Sequence, residues 1–388
     1  MARMVRTATD APAAVDARPF DAFYCYRDSP QRRGALAAGA GAPERYLLFG
    51  LDESAAKGIR VRHNLERPLP SPGWARLVDR GANWAVQRAG GYGGDLHSVL
   101  PSLRTLNRAD VVCSTVDTVG IPLALLHRAG LARPPLVYVS IGLPERIAKL
   151  REGRAARTYL DALRRVTAFV AYSEYEAGLL RELVGEGGVP PIVFVPFGVD
   201  VAYFVPVTSV EPDIDVVAIG ADPHRDFALL LAIAERHPGR RFRIVAGRDA
   251  ARGLGSLPAN AELEVDIPLR EVRDRLARAR VVALPVRANS YSGATTVLLQ
   301  ALAMGKPVVV SRTPAIATGY GLVDGGNCRL VEPGDGRKFE EALLGLLADA
   351  TAAERLGVQA RLTAELELSW ERYTTAMTDV IAAAVERH

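Results

Sequence analysis

Cysteine is scarce: three occur in 388 residues, at Cys25, Cys113 and Cys328. Their odd number and wide spacing exclude a disulfide framework, and no Cys/His spacing suits a metal or redox centre. Three buried thiols acting as small hydrophobes in a reducing interior are expected instead. No run of eighteen apolar residues occurs, so no stable membrane insertion is expected. Residues 1–17 lack the apolar centre of a secretion signal and read as a disordered leader, which points to a cytoplasmic protein. Lysine is confined to Lys57, Lys149, Lys306 and Lys338, while arginine supplies the rest of the 48 basic residues, a bias of GC-rich codons. The net charge is only +4 and the basic residues are scattered singly. Nucleic acid is therefore not an expected partner.

The chain is too long for one ordinary core, and 49% hydrophobic content can fill two. Strand and helix patterns alternate along it. Ala22–Tyr26, Tyr46–Phe49 and Ile59–Arg62 read as strands, with Gly34–Gly41 as loop or frayed helix between the first two. Trp74–Arg88 reads as a helix. Asp95 follows a glycine cluster and is placed to cap the next helix. Val111–Cys113, Leu136–Val139, Phe169–Tyr172 and Ile192–Pro196 continue the series, and residues 205–212 have the composition of a linker. A second series opens at Asp213 and runs to a last helix, Trp370–Glu386. Asp213-Ile-Asp215 has a metal-binding look but precedes its strand, on the edge away from ligands in a parallel sheet, so no metal is expected.

Residues 280–331 carry the clearest unit. Val281–Pro285 is a strand, Ala294–Met304 has helical apolar spacing, Gly305 can cap it, and Val308–Ser311 is the next strand. The loop between the first strand and the helix ends in Gly293, where backbone can approach a ligand. The N–H groups of Ala294, Thr295 and Thr296 then open a helix whose dipole favours an anion.

The run Gln300-Ala-Leu-Ala-Met-Gly-Lys-Pro-Val-Val309, with Phe197-Gly-Val-Asp200 and Pro333-Gly-Asp335, resembles retaining glycosyltransferases of the GT-B fold, group 1 or family 4 type. The resemblance implies an α/β chain of two Rossmann-like parallel-sheet domains facing across a cleft. Residues 18–207 would form the acceptor-side domain, 208–368 the donor-binding domain, and 369–388 a helix crossing back to the first domain. It implies transfer of a sugar from a nucleotide-diphosphate donor to a hydroxyl acceptor with retention, without metal or cofactor, by a monomer or homodimer. Natural-product or polysaccharide biosynthesis would be the setting. Donor contacts are expected from Gly220, Arg225, Arg248, Ser292, Gly293, Ala294, Thr295, Thr296 and Gln300. Arg225 and Ser292 would serve the chemistry, and Lys306 is a further candidate cation. Gly93, Gly94, Ser140, Ile141 and Gly142 are expected on the acceptor side, with Ser140 on the strand face opposite Ile141.

The family's two glutamates are replaced by Ser292 and Gln300, and its histidine by Ile141. A non-catalytic sugar-nucleotide binder supporting another transferase is the alternative those replacements suggest. No amphipathic basic surface helix stands out in the sequence, so small-molecule, polysaccharide and lipid acceptors stay level.

Overall fold

Short β-branched runs closed by proline, glycine or a helix cap become strands, and the apolar-periodic stretches between them become helices. The computed structural model describes residues 19–67, 71–88, 91–150, 153–185, 190–289 and 293–387. The expected leader and Ser292 lie outside these residues.

The first sheet is built from β1 (Asp21–Cys25), β2 (Arg60–His63), β3 (Val111–Ser114), β4 (Leu136–Ser140), β5 (Ala168–Ala171) and β6 (Ile192–Phe194). Its order is β2-β1-β3-β4-β5-β6, every pair parallel. The second contains β7 (Ile214–Gly220), β8 (Phe242–Ala246), β9 (Ala261–Val265), β10 (Ala279–Leu284), β11 (Val308–Ser311) and β12 (Arg329–Val331), in the order β12-β11-β10-β7-β8-β9, again parallel. Helices cover both faces of each sheet, so the central strands are buried throughout, as their unbroken Val, Ile and Ala runs require. In each sheet the strand order reverses once, between β1 and β3 and between β7 and β10. Parallel sheets leave a ligand crevice at that point, beyond the carboxyl ends of the strands.

The two units are joined at several points. Val199 N–H donates to Leu368 O at 2.9 Å, and Trp370 N–H returns a bond to Val199 O at 2.8 Å. Arg361 donates to the carbonyls of Val201, Ala303 and Phe204. The helix Trp370–Glu386 packs on the first unit: the Trp370 indole N–H donates to Glu53, Lys57 Nζ to Thr375 Oγ1 at 3.0 Å, and the Tyr172 and Tyr373 hydroxyls share a bond of 2.9 Å.

Several expectations are corrected. Tyr46–Phe49 is not a strand: Pro43–Leu48 is a 3-10 helix opened by Pro43 and ended by Phe49 in the left-handed conformation. Its apolar residues face the first core without sheet pairing. Gly34–Gly41, expected as loop or frayed helix, is the end of a helix, Pro30–Ala38, capped by the Ser29 hydroxyl and closed at Gly39, and the turn after it. Asp95 occupies a cap position, yet its side chain does not cap; it lies 3.6 Å from Arg27 instead. All three cysteines are buried free thiols. An amphipathic helix does stand out: in Gly73–Arg88 only Ala75 is buried, while Trp74, Leu77, Val78 and Trp84 are exposed. Apolar periodicity alone does not tell whether the apolar face points inward.

Candidate functional site

The loops after β7 and β10 are stitched together at the point where the strand order reverses. Asp226 N–H donates to Pro285 O at 2.9 Å, Arg287 N–H to His224 O at 2.8 Å, and Arg225 and Val286 form an antiparallel bridge. The Arg225 side chain is buried and folds back across Gly220, where a Cβ would collide with its guanidinium. Gly293 abuts the Asp222 carboxylate: a Cβ there would lie 2.5 Å from Oδ2. That close approach explains the glycine. Arg248 sits on the rim beyond β8, 70% exposed, with Nε 3.3 Å from Asp266.

The helix Thr295–Ala303 follows Ala294, whose side chain cannot cap it, and Thr295 and Thr296 of its first turn line the cleft. Thr296 and Gln300, one turn apart, line one narrow pocket with Arg45, Phe197, Asp200 and Trp370. Gln300 is buried, and no described residue accepts from or donates to its amide.

A larger pocket of about 210 Å³ opens between the two units. Thr295 and Thr296 form its wall from the second unit; Tyr46, Phe49, Ile141, Tyr172 and Phe197 form the other. The aromatic wall is continuous, with Phe49 stacked on Tyr172 at 6.4 Å and Tyr172 edge-on to Phe197 at 5.3 Å. Arg32 stands in the same pocket, its guanidinium 5.8 Å from the Phe49 ring centre. Its Nε and Nη1 donate to the carbonyls of Leu47 and Arg27, and burial lowers its pKa. No described carboxylate forms an ion pair with it. A partly desolvated guanidinium held by carbonyls is set for an anion in the pocket. Sequence reasoning missed Arg32, because nothing in its neighbourhood marks it before the fold brings it opposite a helix start some 260 residues away.

The acceptor-side candidates divide. Ile141 lines the larger pocket. Ser140 is fully buried and donates to Glu176 Oε1 at 2.6 Å, and Gly142 N–H donates to the same oxygen at 2.7 Å. Ile141 N–H donates to Asp117 Oδ1 at 3.3 Å. The strand-end loop is thus seated on two buried carboxylates. Burial pushes Asp117 up to about 6 and Glu176 up to about 7, opposed for Asp117 by the bond from Ile141 and by Arg146, and for Glu176 by its two donors. Gly93 packs against Asn83, and Gly94 against Thr118 and Pro122. Neither lines the two cleft pockets.

Lys306 is corrected as a candidate cation. Its Nζ donates to Ala277 O at 2.6 Å and Ala279 O at 3.0 Å, at the amino end of β10 and so on the edge opposite the crevice. Burial pushes its pKa down to about 8. Asp213 and Asp215 are held by Arg278 and by Arg280 and Arg241 respectively.

Residues 224–349 match the family model described as glycosyl transferases group 1. That match falls within the second unit. Among solved structures, the sucrose-phosphate synthase of Thermosynechococcus elongatus is 16% identical, with 95% of this chain and 100% of that one covered at a TM-score of 0.71. HepE of Anabaena, solved with UDP, is 15% identical over 94% of this chain and 100% of its own, at 0.66. A glycosyltransferase of Rickettsia africae is 11% identical over 95% and 100%, at 0.63. The architecture is GT-B. No curated protein matches the chain. Among the described residues no helix is long and apolar enough to cross a membrane, and no cluster of His, Cys, Asp and Glu could hold a metal.

Proposed function

We propose that this chain transfers a sugar from a nucleotide-diphosphate donor to a hydroxyl acceptor with retention of anomeric configuration. The observation that carries the reading is a helix start at the strand-order reversal of the second sheet, facing an aromatic pocket of the first domain. The donor diphosphate lies against the N–H groups at Ala294–Thr296, with Arg225 at the end of β7 and Gln300 toward the ribose. The C1–O bond to phosphate breaks and the acceptor oxygen bonds to C1 on the same face. The acceptor proton passes to the departing phosphate oxygen, so the step needs no carboxylate nucleophile. Retention rests on the departing phosphate oxygen acting as the base on the face that it leaves.

A thermal-shift screen of sugar nucleotides tests the donor; uridine diphosphate sugars come first, since HepE was solved with UDP and with UDP-glucose. A donor at a hundred times its Kd stabilises the fold by about 2.7 kcal/mol. Proton NMR of the product then reports the anomeric configuration, and an inverted product refutes the mechanism. Activity persists in EDTA; loss restored by a divalent metal would refute the metal-free reading. Gln300 and Ile141 favour a second reading, a sugar-nucleotide binder without turnover. Slow donor hydrolysis without acceptor discriminates, because only the enzyme produces it.

A further inference from the structure

The helix Gly73–Arg88 presents its apolar side to solvent. At about 100° per residue, Trp74, Leu77, Val78, Gly81, Trp84 and Ala85 fall on one face roughly 120° wide. Trp74 is 55% exposed, Leu77 72% and Trp84 62%. The inward face is made by Ala75, Asp79, Asn83 and Val86, and it is tied down by polar bonds: Asn83 Nδ2 donates to Gly94 O at 3.0 Å, and His97 N–H donates to Asp79 Oδ1 at 3.3 Å. The helix is therefore anchored with its apolar side out. Contiguous exposed apolar residues rimmed by polar ones mark an interaction surface.

Arg76 and Arg80 lie together along one flank of that face, and Arg88 lies at its end. Arg76 and Arg80 form no ion pair among the described residues, and Arg88 lies over the Trp84 ring at 4.8 Å. Exposed arginines elsewhere, such as Arg60, Arg128 and Arg236, hold a carboxylate. The other exposed stripe, Val358, Leu362 and Leu366, has no tryptophan and no such one-sided row of cations.

We propose that this helix docks the protein on an anionic lipid bilayer, lying in the plane of the interface. Tryptophan at both ends of the apolar face suits the headgroup boundary, and unpartnered guanidiniums beside it are complementary to anionic headgroups. Their aliphatic stems reach along the apolar surface while the charge stays in water. This is peripheral binding, and it does not depend on the transferase reading.

The test is flotation of the full chain with phosphatidylcholine/phosphatidylglycerol vesicles and with phosphatidylcholine alone. Binding to the mixed vesicles, weakened by salt and absent from the neutral ones, is expected. Replacing two cations, Arg76→Gln with Arg80→Gln, lowers the partition coefficient about thirtyfold, and Trp74→Ser with Trp84→Ser abolishes flotation while far-UV circular dichroism and the melting temperature stay unchanged. If the double tryptophan variant does not fold, Leu77→Ser replaces it. Absence of flotation by the parent, or flotation unchanged in the arginine and tryptophan variants, overturns the proposal. A concentration-dependent dimer in sedimentation that Trp84→Ser dissociates, with no flotation, also overturns it and assigns the face to a second copy.

Discussion

Gln300 lies one turn beyond Thr296 and lines the narrow pocket with it, and the family resemblance implies a ribose contact there. A carboxamide offers one acceptor and two donors and adds no charge beside a diphosphate. Gln300→Leu weakens nucleotide binding by about 1–3 kcal/mol, the cost of leaving a ribose hydroxyl unpaired, whereas Gln300→Glu stays within about tenfold of the parent. Titration calorimetry with the nucleoside diphosphate decides it, and equal affinity of the Leu variant refutes the contact. For the cations, Arg32→Gln and Arg225→Ala each weaken the nucleoside diphosphate more than the bare nucleoside if they meet phosphate. Should Arg32→Gln leave both affinities unchanged and raise the KM of the acceptor, its anion belongs to the acceptor. The family resemblance pointed to Arg225 at its strand-to-helix turn. It did not point to Arg32, since its helix precedes any recognisable motif and only the cleft shows what it faces.

At the scale of the element, the loop after β4 is held from below. Ser140 and Gly142 share Glu176 as acceptor, and Ile141 reaches the pocket because its neighbours are turned inward. Glu176 belongs to the helix Glu174–Val184 beyond β5, capped by Ser173, so the loop's shape depends on a carboxylate 36 residues away. Its folded pKa of about 7 lies above the ordinary 4.5. Between those values the unfolded chain has released this proton and the folded chain retains it, so stability is full below about pH 4.5 and declines as pH rises toward 7. The loss reaches about 3 kcal/mol at most. Glu176→Gln, which keeps a carbonyl acceptor for Ser140 and Gly142, flattens that decline; denaturant midpoints between pH 4.5 and 7.5 measure it. A slope unchanged by the substitution would show that Glu176 does not titrate there. A short unbroken apolar run placed the strand, and the alternation of side chains along a strand put Ser140 opposite Ile141. Which of the two faced the cleft required knowing what packs beneath.

At the scale of the whole molecule, Trp370 joins the two units. It is buried, its indole donates to Glu53, and its ring lies 4.8 Å from Tyr373 and 5.9 Å from Phe197. Tyr373 in turn bonds Tyr172, whose ring forms part of the larger pocket. Trp370→Ala costs about 3–5 kcal/mol and uncouples the terminal helix from the first sheet. Calorimetry of the parent gives one unfolding transition and that of the variant two; a single transition in both would show that other contacts hold the units together.

The sequence by itself determined the alternation of strands and helices, Tyr46–Phe49 excepted, and the glycine-led helix start. Those features are written in local periodicity, proline and glycine placement and caps, all of which act within a few residues. It also supplied Trp370–Glu386 to the residue, because Ser369 caps a long apolar-periodic run there. Only the tertiary structure decided that Lys306 serves the far edge of the sheet, that Pro43–Leu48 coils into a 3-10 helix, and that the tryptophan face of Gly73–Arg88 points outward. Only it brought Arg32, Tyr172, Phe197 and Thr296 to one pocket. Side-chain direction and long-range convergence depend on what is packed alongside, and strand order sets that: residues far apart in the chain meet where the two sheets reverse.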